Sequence, residues 1–241
     1  MRPAAQTTTA PLSLEASAKY LSLSMIFAAL IFAITDLAAW YVGLSACSML
    51  VWVLRHRSQW QLFGKFGGVA NALTGFRWLS IAVLCGFCLW LHPYVIFVLG
   101  ILVLIADGLD GYYARKYHTT SVFGDVFDKE TDAFFVLTYG VIIVERDLAE
   151  SWVMLPGLLR YLYVIILSYV DRPPSPIGKS FRRQFVGMWM MGTLLAPFVV
   201  GPKIYIPGLA VAIIMILYSF ALDFYSSWNG SEVSNRKLFS R

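Results

Sequence analysis

Four aspartates at two regular spacings carry the chemistry that this chain could perform. Asp107 and Asp110 are three residues apart at the end of one apolar run, and Asp128 and Asp132 are four apart at the start of another. On helices these spacings put each pair on one face. Carboxylates at a membrane border are costly and usually exist for a function. Two antiparallel helices joined by the short loop 116–122 would bring all four together. An oxygen-only donor set suits a hard divalent cation, Mg2+ or Mn2+. No His or Cys stands beside the acids to favour zinc. Gly111 and Ala114 follow the first pair on the same face, and Gly124 precedes Asp128 by four. These small residues leave room for a flat or bulky ligand, and Arg115 can face a phosphate with its planar fork. The pattern points to metal-assisted phosphoryl chemistry, with one carboxylate able to take a proton from an attacking hydroxyl. Spacing and membrane position also suit an acidic helix pair that only packs, or a cation transporter with an intramembrane Asp cluster.

The elements that must position these acids are membrane helices. The chain has 241 residues, of which 59% are hydrophobic and 14% charged, with a mean hydropathy of +0.67. That is far more apolar surface than a soluble domain of this size needs. Several runs approach the roughly 20 residues that a spanning helix requires. The expected fold is all-α, a polytopic transmembrane helical bundle of about eight helices, with no separate soluble domain. Residues 1–19 read as a cytoplasmic tail and 20–57 as an accessory transmembrane hairpin broken at Thr35-Asp36. Residues 58–70 mix Trp60, Phe63 and Phe66 with polar residues and suit an interfacial segment. Residues 71–228 form the six-helix core, and 229–241 a basic cytoplasmic tail. Within the core, Pro156-Gly157 suits a kink. Cys85-Gly-Phe-Cys88 has no polar context and reads as small apolar packing. Lys129, four after Asp125, suits a local ion pair.

The net charge of +5 does not indicate nucleic acid, since the positive residues sit at helix ends, where they set topology and meet anionic headgroups. Of 19 Lys and Arg, only Arg146 and Lys203 fall in expected outer loops, which puts the acids on the cytoplasmic side. Arg160 lies inside an apolar run. It either touches a phosphate or a site acid, or forms a buried structural ion pair.

The spacing Asp-x2-Asp-Gly-x2-Ala-Arg-x8-Gly-x3-Asp-x3-Asp, complete from Asp107 to Asp132, resembles the signature of the CDP-alcohol phosphotransferases, integral membrane enzymes. The resemblance implies that Asp107, Asp110 and Asp128 hold metal, with Asp132 near enough to share it and to act as the general base. It implies that Gly111, Ala114 and Gly124 line a CDP pocket and that Arg115 meets the donor phosphates. Asn71-x2-Thr74-x2-Arg77 is similar to the start of the family's first core helix, although Ala70 stands where Pro is common. Asn71 and Thr74 would then help to hold the nucleotide. The other reading is a helix start with Arg77 facing headgroups. Ser175-x2-Gly178-Lys179 resembles a phosphatidyltransferase loop, with Arg182 where Thr is common. Lys179, Arg182 and Arg183 would bind an acceptor phosphate or the donor diphosphate, or serve only as positive-inside anchors.

By this resemblance the donor is CDP-diacylglycerol, the acceptor is a hydroxyl compound and CMP leaves. A soluble CDP-aminoalcohol donor with a diacylglycerol acceptor is the alternative within the family, and a homodimer is a family expectation. A non-enzymatic homologue is a third reading, against which the intact signature speaks. Asp128-Lys-Glu-Thr-Asp132 matches neither the form common in glycerophosphate enzymes nor the form common in serine enzymes. The basic set Arg160, Lys179, Arg182 and Arg183 favours an anionic acceptor.

Overall fold

Apolar runs punctuated by short polar breaks become helices throughout the part of the chain that is described. The computed structural model describes residues 12–60, 68–116, 121–169 and 181–238, with side chains except at 12, 13, 15, 16, 60, 110–116, 167, 181, 223, 224 and 226–238. The helices are α1 Leu12–Thr35, α2 Ala38–Arg55, α3 Arg57–Trp60, α4 Gly68–Gly86, α5 Pro93–Lys116, α6 Val122–Glu145, α7 Leu155–Tyr169, α8 Phe181–Leu195 and α9 Pro202–Leu238. Only α3 is a single short turn; the other eight are the helices expected from the apolar pattern. The segments Ser17–Thr35, Ala38–Arg55, Gly68–Gly86 and Pro202–Leu222 are long and apolar enough to cross a membrane. Large apolar side chains such as Ile34, Trp90 and Met188 point outward, as a lipid-facing surface requires.

The N-terminal hairpin turns at Asp36, whose φ of 51° lies in the left-handed region that Asp tolerates better than most residues. The backbone N–H of Ala38 starts α2 without a partner in its own helix. It donates to Glu145 Oε2 at 3.1 Å, so a carboxylate from α6 satisfies that helix N-terminus. The hairpin is docked on the core along its length. Trp52 stacks on Phe123 and lies tilted against Phe127 of α6, with centroid distances of 5.4 and 6.4 Å. Tyr41 Oη and Thr138 Oγ1 share a buried hydrogen bond of 2.9 Å. Lys19 Nζ lies 3.6 Å from the Tyr169 ring centroid, tying α1 to the C-terminal end of α7.

The bundle is built around α6. Phe134, Phe135, Leu137, Tyr139, Val141, Ile142 and Ile143 are all buried along it. Its N-terminus is capped by Ser121, whose Oγ accepts from Gly124 N at 2.9 Å. Past its C-terminus, Arg146 Nη1 donates to Cys88 O and, at 2.8 Å, to Leu91 O, satisfying carbonyls left over beyond α4. Cys85 and Cys88 are free thiols buried in the core.

Three boundaries differ from the sequence expectation. Pro156 stands in the first turn of α7, where its missing N–H costs nothing, so Pro156-Gly157 starts a helix and does not kink one. A short 3-10 turn, Ser151–Met154, leads into it. Helix α4 begins at Gly68, inside the expected interfacial segment, while residues 61–67 lie outside the described residues. Helix α9 continues to Leu238 through most of the expected tail.

Candidate functional site

Three helices meet at one end of the bundle. Helix α4 brings Asn71, Thr74 and Arg77, spaced by three residues and therefore close to one face. Helix α5 brings Asp107 near its C-terminal end, and α6 brings Gly124, Asp128 and Asp132 on successive turns. Carboxylate oxygens of Asp107, Asp128 and Asp132 lie within 4.8 Å of one another. Both paired spacings in the sequence thus fall on helices, and α5 and α6 bring Asp107 together with Asp128 and Asp132.

At the centre of the acids is Arg77, for which the sequence leaves a headgroup-facing position open as one of two readings. Arg77 is only 1% exposed. Its Nη2 lies 2.7 Å from Asp107 Oδ1 and 2.7 Å from Asp132 Oδ1, and its Nη1 lies 2.8 Å from Asp128 Oδ1. The three acid side chains are 32–40% exposed, so the cluster is backed by Arg77 and open on its other side. The available signal was the Asn71-x2-Thr74-x2-Arg77 spacing, which puts Arg77 on the same face as two polar residues.

Asn71 and Thr74 are buried beside this cluster. Thr74 Oγ1 donates back to Ala70 O at 3.1 Å. A Cβ placed on Gly124 would stand 2.7 Å from Asn71 Oδ1 and 3.0 Å from Ser121 Oγ. The missing side chain at Gly124 therefore makes room for Asn71 and the helix cap. Asn71 Nδ2 is buried and has no hydrogen-bond partner among the described residues. An unmet buried donor is expensive, which suits a group that a ligand completes.

Other residues singled out by the sequence are placed elsewhere. Arg160 Nη2 donates to Glu130 Oε1 at 3.2 Å, with Glu130 only 2% exposed. Glu130 lies two residues from both Asp128 and Asp132, about 200° around α6 from either, so this pair faces away from the acids. That is the ion pair which the sequence left open beside a phosphate contact. Glu130 itself was not anticipated. Arg182 Nη1 donates to Ser219 Oγ at 2.7 Å and to Ser219 O at 3.2 Å, joining α8 to α9. Arg183 is part-buried on α8. Lys129 Nζ pairs with Asp125 Oδ2 at 2.6 Å on the surface, as its spacing suggested. The side chains of Asp110 and Arg115, the surroundings of Gly111 and Ala114, and all of Lys179 lie outside the described residues.

The donor set of the cluster fits a hard divalent cation: three carboxylates from two helices, close together, part-exposed and, among the described residues, without nitrogen or sulfur ligands. An exposed acid group can exist without an ion, but here the acids are concentrated at the end of an apolar bundle, where charge is costly.

Comparison with known proteins adds an independent line. Residues 68–229 match the family model described as CDP-alcohol phosphatidyltransferase. Among curated relatives, three named CDP-diacylglycerol--glycerol-3-phosphate 3-phosphatidyltransferase are similar. The one from Wigglesworthia glossinidia brevipalpis is 30% identical over 83 residues, 34% of this chain and 45% of the relative. The Haemophilus influenzae protein is 28% identical over 90 residues, 37% of this chain and 48% of the relative. The Bacillus subtilis protein is 36% identical over 73 residues, 30% of this chain and 38% of the relative. The chain thus spans less than half the length of each of these relatives. No solved structure matches it significantly.

Proposed function

The chain belongs to the CDP-alcohol phosphatidyltransferase family of integral membrane proteins, and from that premise we propose that it transfers a phosphatidyl group from CDP-diacylglycerol to a hydroxyl acceptor, releasing CMP. The observation that carries this reading is the convergence of Asp107, Asp128 and Asp132 within 4.8 Å at the end of the bundle. Those three, with Asp110, would hold Mg2+ or Mn2+. A divalent cation bound there supplies charge neutralisation for the diphosphate and for the leaving nucleotide.

The protein's own groups divide the remaining work. Asp132 takes the proton of the acceptor hydroxyl. The acceptor oxygen then bonds to the phosphorus on the lipid side, and the bond from that phosphorus to the CMP oxygen breaks. Arg77 fixes one oxygen of Asp132 at 2.7 Å, so the base is held in one orientation. Asn71, Thr74, Gly111, Ala114 and Gly124 surround the nucleotide. Arg115, Lys179 and Arg183 would supply positive charge to phosphates, while Arg182 is tied to Ser219 of α9.

Glycerol 3-phosphate is the first acceptor to test, because the three relatives are named for it. The unusual residues between Asp128 and Asp132 do not speak against it, since they do other work. Lys129 pairs with Asp125, Glu130 with Arg160, and Thr131 Oγ1 returns to Phe127 O at 2.9 Å. The asymmetry of Lys and Arg supports a cytoplasmic position for the acids, where CDP-activated lipid is supplied. The deciding experiment supplies purified protein with CDP-diacylglycerol, Mg2+ or Mn2+ and a panel of hydroxyl acceptors. CMP is measured, and the lipid product is identified by mass. Absence of divalent-dependent CMP release with every acceptor would remove the reading.

A further inference from the structure

A buried guanidinium is an unexpected neighbour for a divalent cation, because the two repel each other. Arg77 nevertheless reaches from α4 to Asp107 on α5 and to Asp128 and Asp132 on α6, at 2.7, 2.8 and 2.7 Å. Three carboxylates within 4.8 Å also repel one another strongly in a low-dielectric surrounding. The described groups of the cluster, three acids and one guanidinium, carry a net charge of −2, which one divalent ion cancels. Without Arg77 the same acids carry −3.

We propose that Arg77 is a built-in counter-cation of the acid cluster. It holds α4, α5 and α6 together when no divalent ion is bound, and it weakens the ion's grip so that loading stays reversible. This rests on reading the acids as the divalent-cation site. Arg77 is a positioning residue in this role, acting through the acids and not on the substrate. The guanidinium suits the task because it remains charged at any working pH and its planar fork engages several carboxylates at once.

The test needs no substrate. Mn2+ binding to the purified full chain is measured by electron paramagnetic resonance, and thermal unfolding is followed in chelator and in saturating Mn2+. Parent, Arg77→Gln and Arg77→Lys are compared. In Arg77→Gln the Mn2+ dissociation constant should fall by about tenfold or more, because one repelling charge is gone. Its unfolding temperature should drop in chelator and be rescued by Mn2+, since an ion that binds only the folded state stabilises it by mass action. Arg77→Lys keeps the charge, so its Mn2+ dissociation constant should stay close to the parent's, while its unfolding temperature in chelator should fall part of the way, because an ammonium lacks the fork that bridges the acids.

Equal Mn2+ affinity in parent and Arg77→Gln would overturn the proposal. So would an Arg77→Gln chain that stays unfolded in saturating Mn2+, which would make Arg77 a plain structural tie. A variant with parental Mn2+ binding and only a raised donor KM would reassign Arg77 to the diphosphate. If the parent itself binds no Mn2+, the metal reading of the acids falls and this inference with it. Parental binding with indistinguishable variants removes the inference alone.

Discussion

Gly157 of α7 lies against the backbone of Leu137 of α6 so closely that a Cβ on it would stand 2.7 Å from Leu137 Cα and 2.9 Å from Leu137 N. Membrane helices associate through such small-residue contacts, because lipid supplies no hydrophobic force between them. The obstructing atoms belong to the backbone, so no rotamer change relieves the clash. Gly157→Ala should destabilise the protein by about 1–3 kcal/mol, seen as a lower unfolding temperature in detergent. Gly43, with nothing within 4 Å of its would-be Cβ, is the control: Gly43→Ala should be neutral or slightly stabilising.

The acids should separate by role. Chelation should abolish CMP release, and added Mg2+ or Mn2+ should restore it. Asp107→Ala should lose Mn2+ binding, measured directly by electron paramagnetic resonance. Asp132→Asn keeps the shape of the side chain and one carbonyl oxygen for a cation but cannot take a proton. CMP release should then fall by about 10²–10⁴-fold, the usual contribution of a general base. Full activity in Asp132→Asn would remove the base assignment.

The parts of this molecule that could be read from sequence are those set by local spacing. The break at Thr35-Asp36, the helical placement of the paired acids and the Asp125–Lys129 pair each depend on residues within one or two turns. What sequence did not disclose depends on which faces meet. Whether Arg77 faces headgroups stayed open in the sequence because its partners arrive from two later helices. Glu130 looked like a spacer between two acids, yet its position around α6 turns it to Arg160. Pro156-Gly157 looked like a kink because a Pro in an apolar run suits either a kink or a first turn, and the approach of Gly157 to Leu137 is not a local feature.

Gly124 and Asn71 should behave as one unit. A methyl at Gly124 would stand 2.7 Å from Asn71 Oδ1, so Gly124→Ala must push the amide aside or strain α6. If Asn71 serves the nucleotide, Gly124→Ala and Asn71→Ala should each raise the KM for CDP-diacylglycerol. The double variant should be no worse than the poorer single one, since Asn71→Ala removes the obstructed atom. Residues in contact show this kind of non-additivity. Steady-state CMP release for the four proteins measures it, and strictly additive losses would argue that the two positions act separately.

The Glu130–Arg160 pair should prove structural. Glu130 is 2% exposed and Arg160 26%, and Glu130 Oε2 and the neighbouring helix's Tyr161 Oη are buried without partners among the described residues. Removing one partner of a buried pair strands the other charge, so Arg160→Met should cost about 3–5 kcal/mol. Replacing both with apolar residues of similar volume, Glu130→Leu with Arg160→Met, should recover most of that loss, because the desolvation cost disappears with the charges. Thermal unfolding measures the stability arm, and acceptor KM measures the other. A structural pair predicts an acceptor KM in the double variant close to the parent's, because uniform binding contacts are the ones that raise KM alone. A double variant that is stable but has lost its affinity for the acceptor would instead place Arg160 on the acceptor phosphate, with Glu130 as the group that aims it.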